Sequence, residues 1–333
     1  MLTNTPLYFA PYQTPFENGF HEGILSAIGN TPLIRLSRLL PEAPFHIYAK
    51  MEAFNPGGSI KDRPASMILK RAVESGDVLP GITTIIESSS GNMAIGLAQV
   101  AKYYNLRFIC VLDPKTASQN IRILQAFGVE IDMVTQPDPE TGEFLPARIR
   151  RVNHLLDTVP HSFWPNQYQN INNPIAHYST MDEIANVLNG QVDYLFCSVS
   201  TCGTLRGCSE YIHEYELPTK IIAVDAMGSV IFGCRPTKRL LPGHGAATVP
   251  DLYYPGLEGT AVHVSDYDCI VGCRQLLNRE SILAGASSGA VVSAVQKKQA
   301  EIPAEANCVL IFPDNGERYL DTIYSDQWVQ EHF

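Results

Sequence analysis

Short apolar runs rich in β-branched residues alternate along this chain with stretches whose apolar positions recur every three to four residues. The first kind reads as buried strands and the second as helices that cover them. Their alternation is the pattern of βα units wound around parallel sheets, so the expected fold class is α/β throughout. In the first half, strands are predicted at HIYAKME (46–52), TTIIES (83–88), RFICVLD (107–113) and EIDMVT (130–135); in the second half, at DYLFCSV (193–199), KIIAVDA (220–226) and NCVLIFPD (307–314). Between the second and third strands, GNMAIGLAQVAKYYN sets Ala94, Leu97, Ala98 and Ala101 on one helical stripe, small enough for close packing on a sheet. The turn-rich stretch QPDPETGEFLPA (136–147) reads as a loop feeding a basic helix, ARIRRVNHLLDTV, with a join between two α/β domains near 160–166. No heptad run, solenoid period or low-complexity tract interrupts this plan.

Composition narrows the classes. The 333 residues suit about two domains, and no segment approaches the roughly 20 uninterrupted apolar residues of a bilayer span. With 24 Lys+Arg against 34 Asp+Glu, the net charge of −10 disfavours nucleic acid and anionic membranes as partners. The eight cysteines show no paired C-x-x-C spacing and several sit inside apolar runs, so buried thiols are expected rather than disulfides. The N-terminus lacks the pattern of a secretory signal, which makes a cytoplasmic location the expectation. No metal-ligand spacing is present, and neither His177 nor His244 is assigned a catalytic role.

Four strand-to-helix turns carry the candidate chemistry. NPGGSIKDRPA (55–65) puts Lys61 after a Gly-rich turn at the start of a helix. Alone, Lys61 reads first as a solvated first-turn lysine; as a nucleophilic amine it would need a partly desolvated site and an aldehyde cofactor. SSSGNM (88–93) follows a strand and opens a helix, where N–H groups and hydroxyls can bind an anion or merely cap. SVSTCGTLRG (198–207) is a phosphate-cradle candidate without a P-loop ending or dinucleotide fingerprint, and LAGASSGAVV (283–292) is a further Gly/Ser turn into a helix.

In this order and content, the four turns resemble those of the fold-type II pyridoxal-phosphate enzymes of the cysteine synthase and cystathionine β-synthase group, over essentially the whole chain from IGNTPLIRL (28–36) to PDNGERYLDTIYSD (313–326). Within the group, VLDPKTASQN, VDAMGSVIFG, LPGHGAATVP and YSDQW are most similar to the branch that serves 2,3-diaminopropionate and siderophore biosynthesis. The resemblance implies two three-layer αβα domains with pyridoxal 5'-phosphate (PLP) in the cleft between them. The smaller, mobile domain would be 48–165, and the larger 1–47 with 166–333. It implies Lys61 as the Schiff-base lysine, Asn92 at the ring hydroxyl, Ser200, Thr201, Cys202, Gly203 and Thr204 as the phosphate loop, and Ser287 at the pyridine nitrogen. Ser89, Ser90, Gly91, Met93 and Gln167 would line the substrate side.

Arg148 resembles an arginine of the diaminopropionate branch that would clamp a glutamate carboxylate, and Tyr168, beside Gln167, is a second pocket candidate. The implied reaction is β-replacement on an activated serine through an aminoacrylate: O-phospho-L-serine with L-glutamate, or alternatively sulfide in the manner of a cysteine synthase. A homodimer is implied as well. Two departures stand out. Ser200 and Cys202 replace the glycines usual in the phosphate loop, and Met93 replaces the threonine usual after the Asn.

Overall fold

The computed structural model describes residues 22–257 and 259–333; the expectations about the extreme N-terminus lie outside these residues. The chain opens with β1 (Leu33–Arg35) and β2 (His46–Met51). It continues through α1 (Asp62–Ser75), β3 (Thr84–Glu87), α2 (Asn92–Tyr103), β4 (Arg107–Leu112), α3 (Ser118–Ala126), β5 (Glu130–Met133), α4 (Phe144–Thr158) and β6 (Ser162–Phe163). Next come α5 (Asn172–Val187), β7 (Tyr194–Ser198), α6 (Gly203–Glu214), β8 (Lys220–Ala226), β9 (Thr260–Val264), α7 (Asp266–Glu280), α8 (Ala286–Lys298), β10 (Asn307–Phe312) and α9 (Asp326–His332).

Two sheets result. The smaller is wholly parallel in the order β5-β4-β3-β6. The larger runs β1-β2-β10-β7-β8-β9, with only β1 antiparallel to its neighbour. Strand alternation divides the core. Ile85 joins the apolar cluster built with α1, α2 and α3, whereas Ile86 joins Val152 and Leu155 of α4 on the opposite face. In the larger sheet, Ile221 and Ala223 face the side of α5 and α6, while Ile222 and Val224 face α7 and α8. Helices on both faces explain why the strands read as continuous apolar runs.

Three features differ from the sequence reading. All of β2 pairs with β10 in the larger sheet, so the expected cut at 48 falls inside a strand. α4 starts at Phe144, within the expected loop, because Pro146 in a first turn gives up an N–H that has no helical acceptor. β1, β6 and β9 were not anticipated: the first two have three and two residues, and β9 is an edge strand.

Candidate active site

The expected site residues gather where the strands of the larger sheet end, and the segment after β10 is what joins them. Ile60 N–H donates to the Pro313 carbonyl at 2.7 Å, and Ser59 forms an antiparallel bridge with Asp314, which fixes the turn bearing Lys61. Gly285 N–H donates to the Asp314 carbonyl at 3.2 Å, and Ala284 bridges Asn315, which fixes the entrance to α8 and Ser287. Asn92 Nδ2 donates to Asp314 Oδ2 at 2.7 Å, which ties in the first residue of α2.

Lys61 caps α1 and lines one cavity together with Ser200, Thr201, Cys202, Gly203 and Thr204. Burial pulls its amine below the ordinary lysine value, with Cys197 and Asp314 offsetting part of the shift. The Cys197 thiol on the same wall is pushed up to about 12 by burial and stays protonated. Two residues beyond Lys61, Arg63 is held in a buried ionic network. Its Nε and Nη2 meet both oxygens of Glu52 at 2.7 and 2.8 Å, and Nη1 and Nη2 meet the two oxygens of Glu183 at 2.7 Å each. Thr31 Oγ1 and Asn55 Nδ2 donate to the same Glu52 carboxylate, and Lys50 pairs with Glu183. The start of α1, and with it Lys61, is therefore set by charge pairs with fixed fork geometry.

Helices α2, α6 and α8 begin at Gly91, Cys202 and Gly285, and none of the three has a side-chain cap. Gly203 N–H donates to Thr201 Oγ1 at 3.3 Å, and the Ala94 and Ser288 N–H groups donate to the Gly91 and Gly285 carbonyls; the remaining first-turn N–H groups can meet an anion, and neither Ser89 nor Ser90 occupies the cap position of α2. Cys202 adopts φ 63°, a left-handed backbone that normally favours glycine. The following Gly203 has no alternative: a Cβ there would lie 2.1 Å from Asn173 Oδ1. Asn173 in turn donates to the Gln167 carbonyl at 2.7 Å and to Thr201 Oγ1 at 3.2 Å, linking the two loops. Behind the cradle, Thr204 Oγ1 contacts His177 Nε2 at 3.2 Å. Burial holds His177 well below its ordinary value, so it is a neutral support. His244 is likewise buried, and burial lowers it to about 4.

On the substrate side, Glu87 at the end of β3 accepts from Trp164 Nε1 at 3.1 Å and from the Ser88 N–H at 2.8 Å, so the segment leading to Gln167 is tied to the strand that leads to Ser89. Tyr168 hydrogen-bonds Ser200, and burial raises its phenol while the nearby Arg148 charge opposes the rise. Arg148 itself is only 13% exposed. Its Nε lies 3.3 Å from Asp113 Oδ2, yet neither Nε nor Nη1 has a hydrogen-bond partner. Met93 departs from expectation. Its side chain is 1% exposed within the apolar cluster of α1 to α3, so it packs the core, and only its backbone N–H belongs to the helix entrance. A roomier surface groove lies elsewhere, at the opposite strand ends beside Tyr194, Lys220 and Thr260.

A family model described as pyridoxal-phosphate dependent enzyme matches residues 24–314. The chain belongs to that family. Its cofactor is PLP and its fold is that of the fold-type II members. N-(2-amino-2-carboxyethyl)-L-glutamate synthase of Ralstonia nicotianae is 45% identical over 309 residues, covering 92% of this chain and 91% of that one. Among solved structures, the O-acetylserine dependent cystathionine beta-synthase of Helicobacter pylori is 29% identical with a TM-score of 0.83, covering 91% of this chain and 98% of that one. O-ureido-L-serine synthase is 28% identical with a TM-score of 0.85, covering 93% and 99%. O-acetyl serine sulfhydrylase isoform 3 of Entamoeba histolytica is 30% identical with a TM-score of 0.85, covering 97% and 94%.

The residues present fit this cofactor. A desolvated amine and three uncapped helix N-termini suit an aldehyde bearing a phosphate, and the buried Ser287, 3% exposed, is a neutral group at the start of α8. Sequence reasoning missed Asp314, Arg318, Asn173 and Glu87. All four act on neighbours rather than belonging to a Gly/Ser turn; for Glu87 and Asp314 the available signal was an acid at or just past the end of a buried strand, as in IIES and IFPD.

Proposed function

We propose that the chain catalyses β-replacement on an activated L-serine, joining O-phospho-L-serine to L-glutamate to give N-(2-amino-2-carboxyethyl)-L-glutamate and phosphate. The likeness to the Ralstonia synthase along nine-tenths of both chains supports this reading. Bound PLP supplies an electron sink for charge developing at the substrate Cα. Lys61 Nζ holds the cofactor and then, as a neutral amine, takes the Cα proton. The open N–H groups of α2, with Ser89, Ser90 and Gln167, bind the substrate α-carboxylate. The loop 200–204 holds the cofactor phosphate, and Asn92 and Ser287 hold the ring. A neutral serine leaves the ring nitrogen less charged than an Asp would, which favours β-elimination over wider delocalisation of the carbanion.

One observation favours glutamate over sulfide: Arg148, nearly buried and ion-paired with Asp113 at 3.3 Å, keeps Nη1 without a hydrogen-bond partner near Tyr168. A buried guanidinium with unused donors suits a carboxylate, whereas sulfide would leave it unsatisfied. The likeness to a sulfhydrylase keeps cysteine synthesis as the second reading. The test supplies phosphoserine or acetylserine with glutamate or sulfide and identifies products by mass. The reading predicts the glutamate adduct with phosphate release that depends on phosphoserine; cysteine as the sole product overturns it. A cytoplasmic homodimer feeding siderophore assembly completes the proposal, supported by family likeness and by cysteines that are free and, Cys234 apart, buried.

A further inference from the structure

The Asn92 amide is gripped by two charged residues from one short segment. Nδ2 donates to Asp314 Oδ2 at 2.7 Å, and Oδ1 accepts from Arg318 Nη1. Arg318 Nη2 also donates to the Gly57 carbonyl at 3.0 Å, next to the turn of Lys61. The Asp314 carboxylate is 3% exposed and accepts a second bond from Tyr319 OH at 3.0 Å. Its Oδ1 has no partner and fills the space left by Gly285, where a Cβ would lie 2.0 Å from it. A carboxylate only accepts and a guanidinium only donates, so the flipped amide would set oxygen against oxygen and NH2 against N–H.

We propose that Asp314 and Arg318 are positioning residues that lock the Asn92 amide in one orientation, committing it to present an N–H, and not its carbonyl, to an oxygen of the cofactor. Asp314 takes one Nδ2 hydrogen and leaves the other free for that oxygen, while Arg318 consumes the carbonyl. The two gripping residues follow β10 of the larger sheet and Asn92 opens α2 on the smaller one, so the same contacts fasten the two halves across the cleft. The inference rests on the reading that Asn92 faces the cofactor, and the experiment separates the two.

Apoprotein of the full chain is titrated with PLP, following the visible absorbance band and the dissociation constant, for Asn92→Ala, Asp314→Ala, Asp314→Asn, Arg318→Ala and the pairwise doubles. Each single alanine should weaken binding on the order of tenfold and move the band, with Asp314→Asn intermediate because its amide oxygen still accepts. Adding Asp314→Ala to Asn92→Ala should cost nothing further, since its effect passes through that amide. Additive losses, or an Asp314→Ala constant and band equal to wild type, overturn the proposal. If Asp314→Ala does not fold, the cycle with Asp314→Asn decides by the same criterion. An Asn92→Ala protein with unchanged affinity removes the underlying reading and the proposal with it.

Discussion

Arg63→Ala should be among the most destabilising single changes in this chain. The guanidinium is 3% exposed and makes paired contacts with both Glu52 and Glu183. Its removal strands the Glu52 carboxylate, 0% exposed, with only the Thr31 hydroxyl and the Asn55 amide as partners, whereas Glu183 keeps Lys50. Orphaning a buried charge costs about 3–5 kcal/mol. At about 2.1 cal/mol/K per residue, the unfolding entropy of such a chain is near 0.7 kcal/mol/K, so 4 kcal/mol lowers Tm by about 6 °C.

The pH dependence supplies the sign. In the wild type, although burial alone would raise it, the Arg63 charge holds Glu52 below its ordinary value of 4.5, so its contribution is full above that pH and is lost as pH falls through the depressed value. Without Arg63, burial dominates and Glu52 is relieved by protonation. The stability gap between wild type and variant should therefore be widest near neutrality and narrow as pH falls below about 4.5. Urea unfolding across that range measures it. A gap under about 1 kcal/mol at pH 7, or one that does not change with pH, refutes the role assigned to this network.

Arg148→Ala should raise the glutamate KM by roughly ten- to a hundredfold while a single-turnover burst of phosphate from phosphoserine stays intact; equal losses in both measurements would take Arg148 out of the glutamate pocket. Cys202→Gly should be tolerated within about 0.5 kcal/mol, because release of left-handed strain offsets the lost burial, whereas Cys202→Val should cost more than about 2 kcal/mol in thermal unfolding. For an ordinary lysine the neutral fraction rises about a hundredfold between pH 7 and 9. With the Lys61 amine depressed by burial, the rate of PLP capture by apoprotein should rise by less than this over that interval, and a full hundredfold rise in stopped-flow absorbance would contradict it.

Strands buried on both faces were legible because their apolar runs are continuous: KIIAVDA matches β8 residue for residue. Two- and three-residue strands carry no period, which is why β1 and β6 escaped notice. At the site, the Gly/Ser turns were readable because small residues at strand ends mark close backbone approach, as Gly203 against Asn173 shows. What escaped were residues whose partners lie far along the chain: Asp314 reaches Asn92 across 222 positions and Arg63 reaches Glu183 across 120. Met93 misled for a related reason, since a helix-entrance position does not reveal which way its side chain turns.

The central claim is that Lys61 carries the cofactor. Borohydride treatment of the holoprotein, followed by digestion and peptide mass mapping, locates the reduced cofactor on one amine. A pyridoxyl mass on the peptide spanning Lys61, absent from Lys61→Ala, is the predicted result. The same mass on Lys50, a lysine only 1% exposed, or on any other residue, would contradict the account.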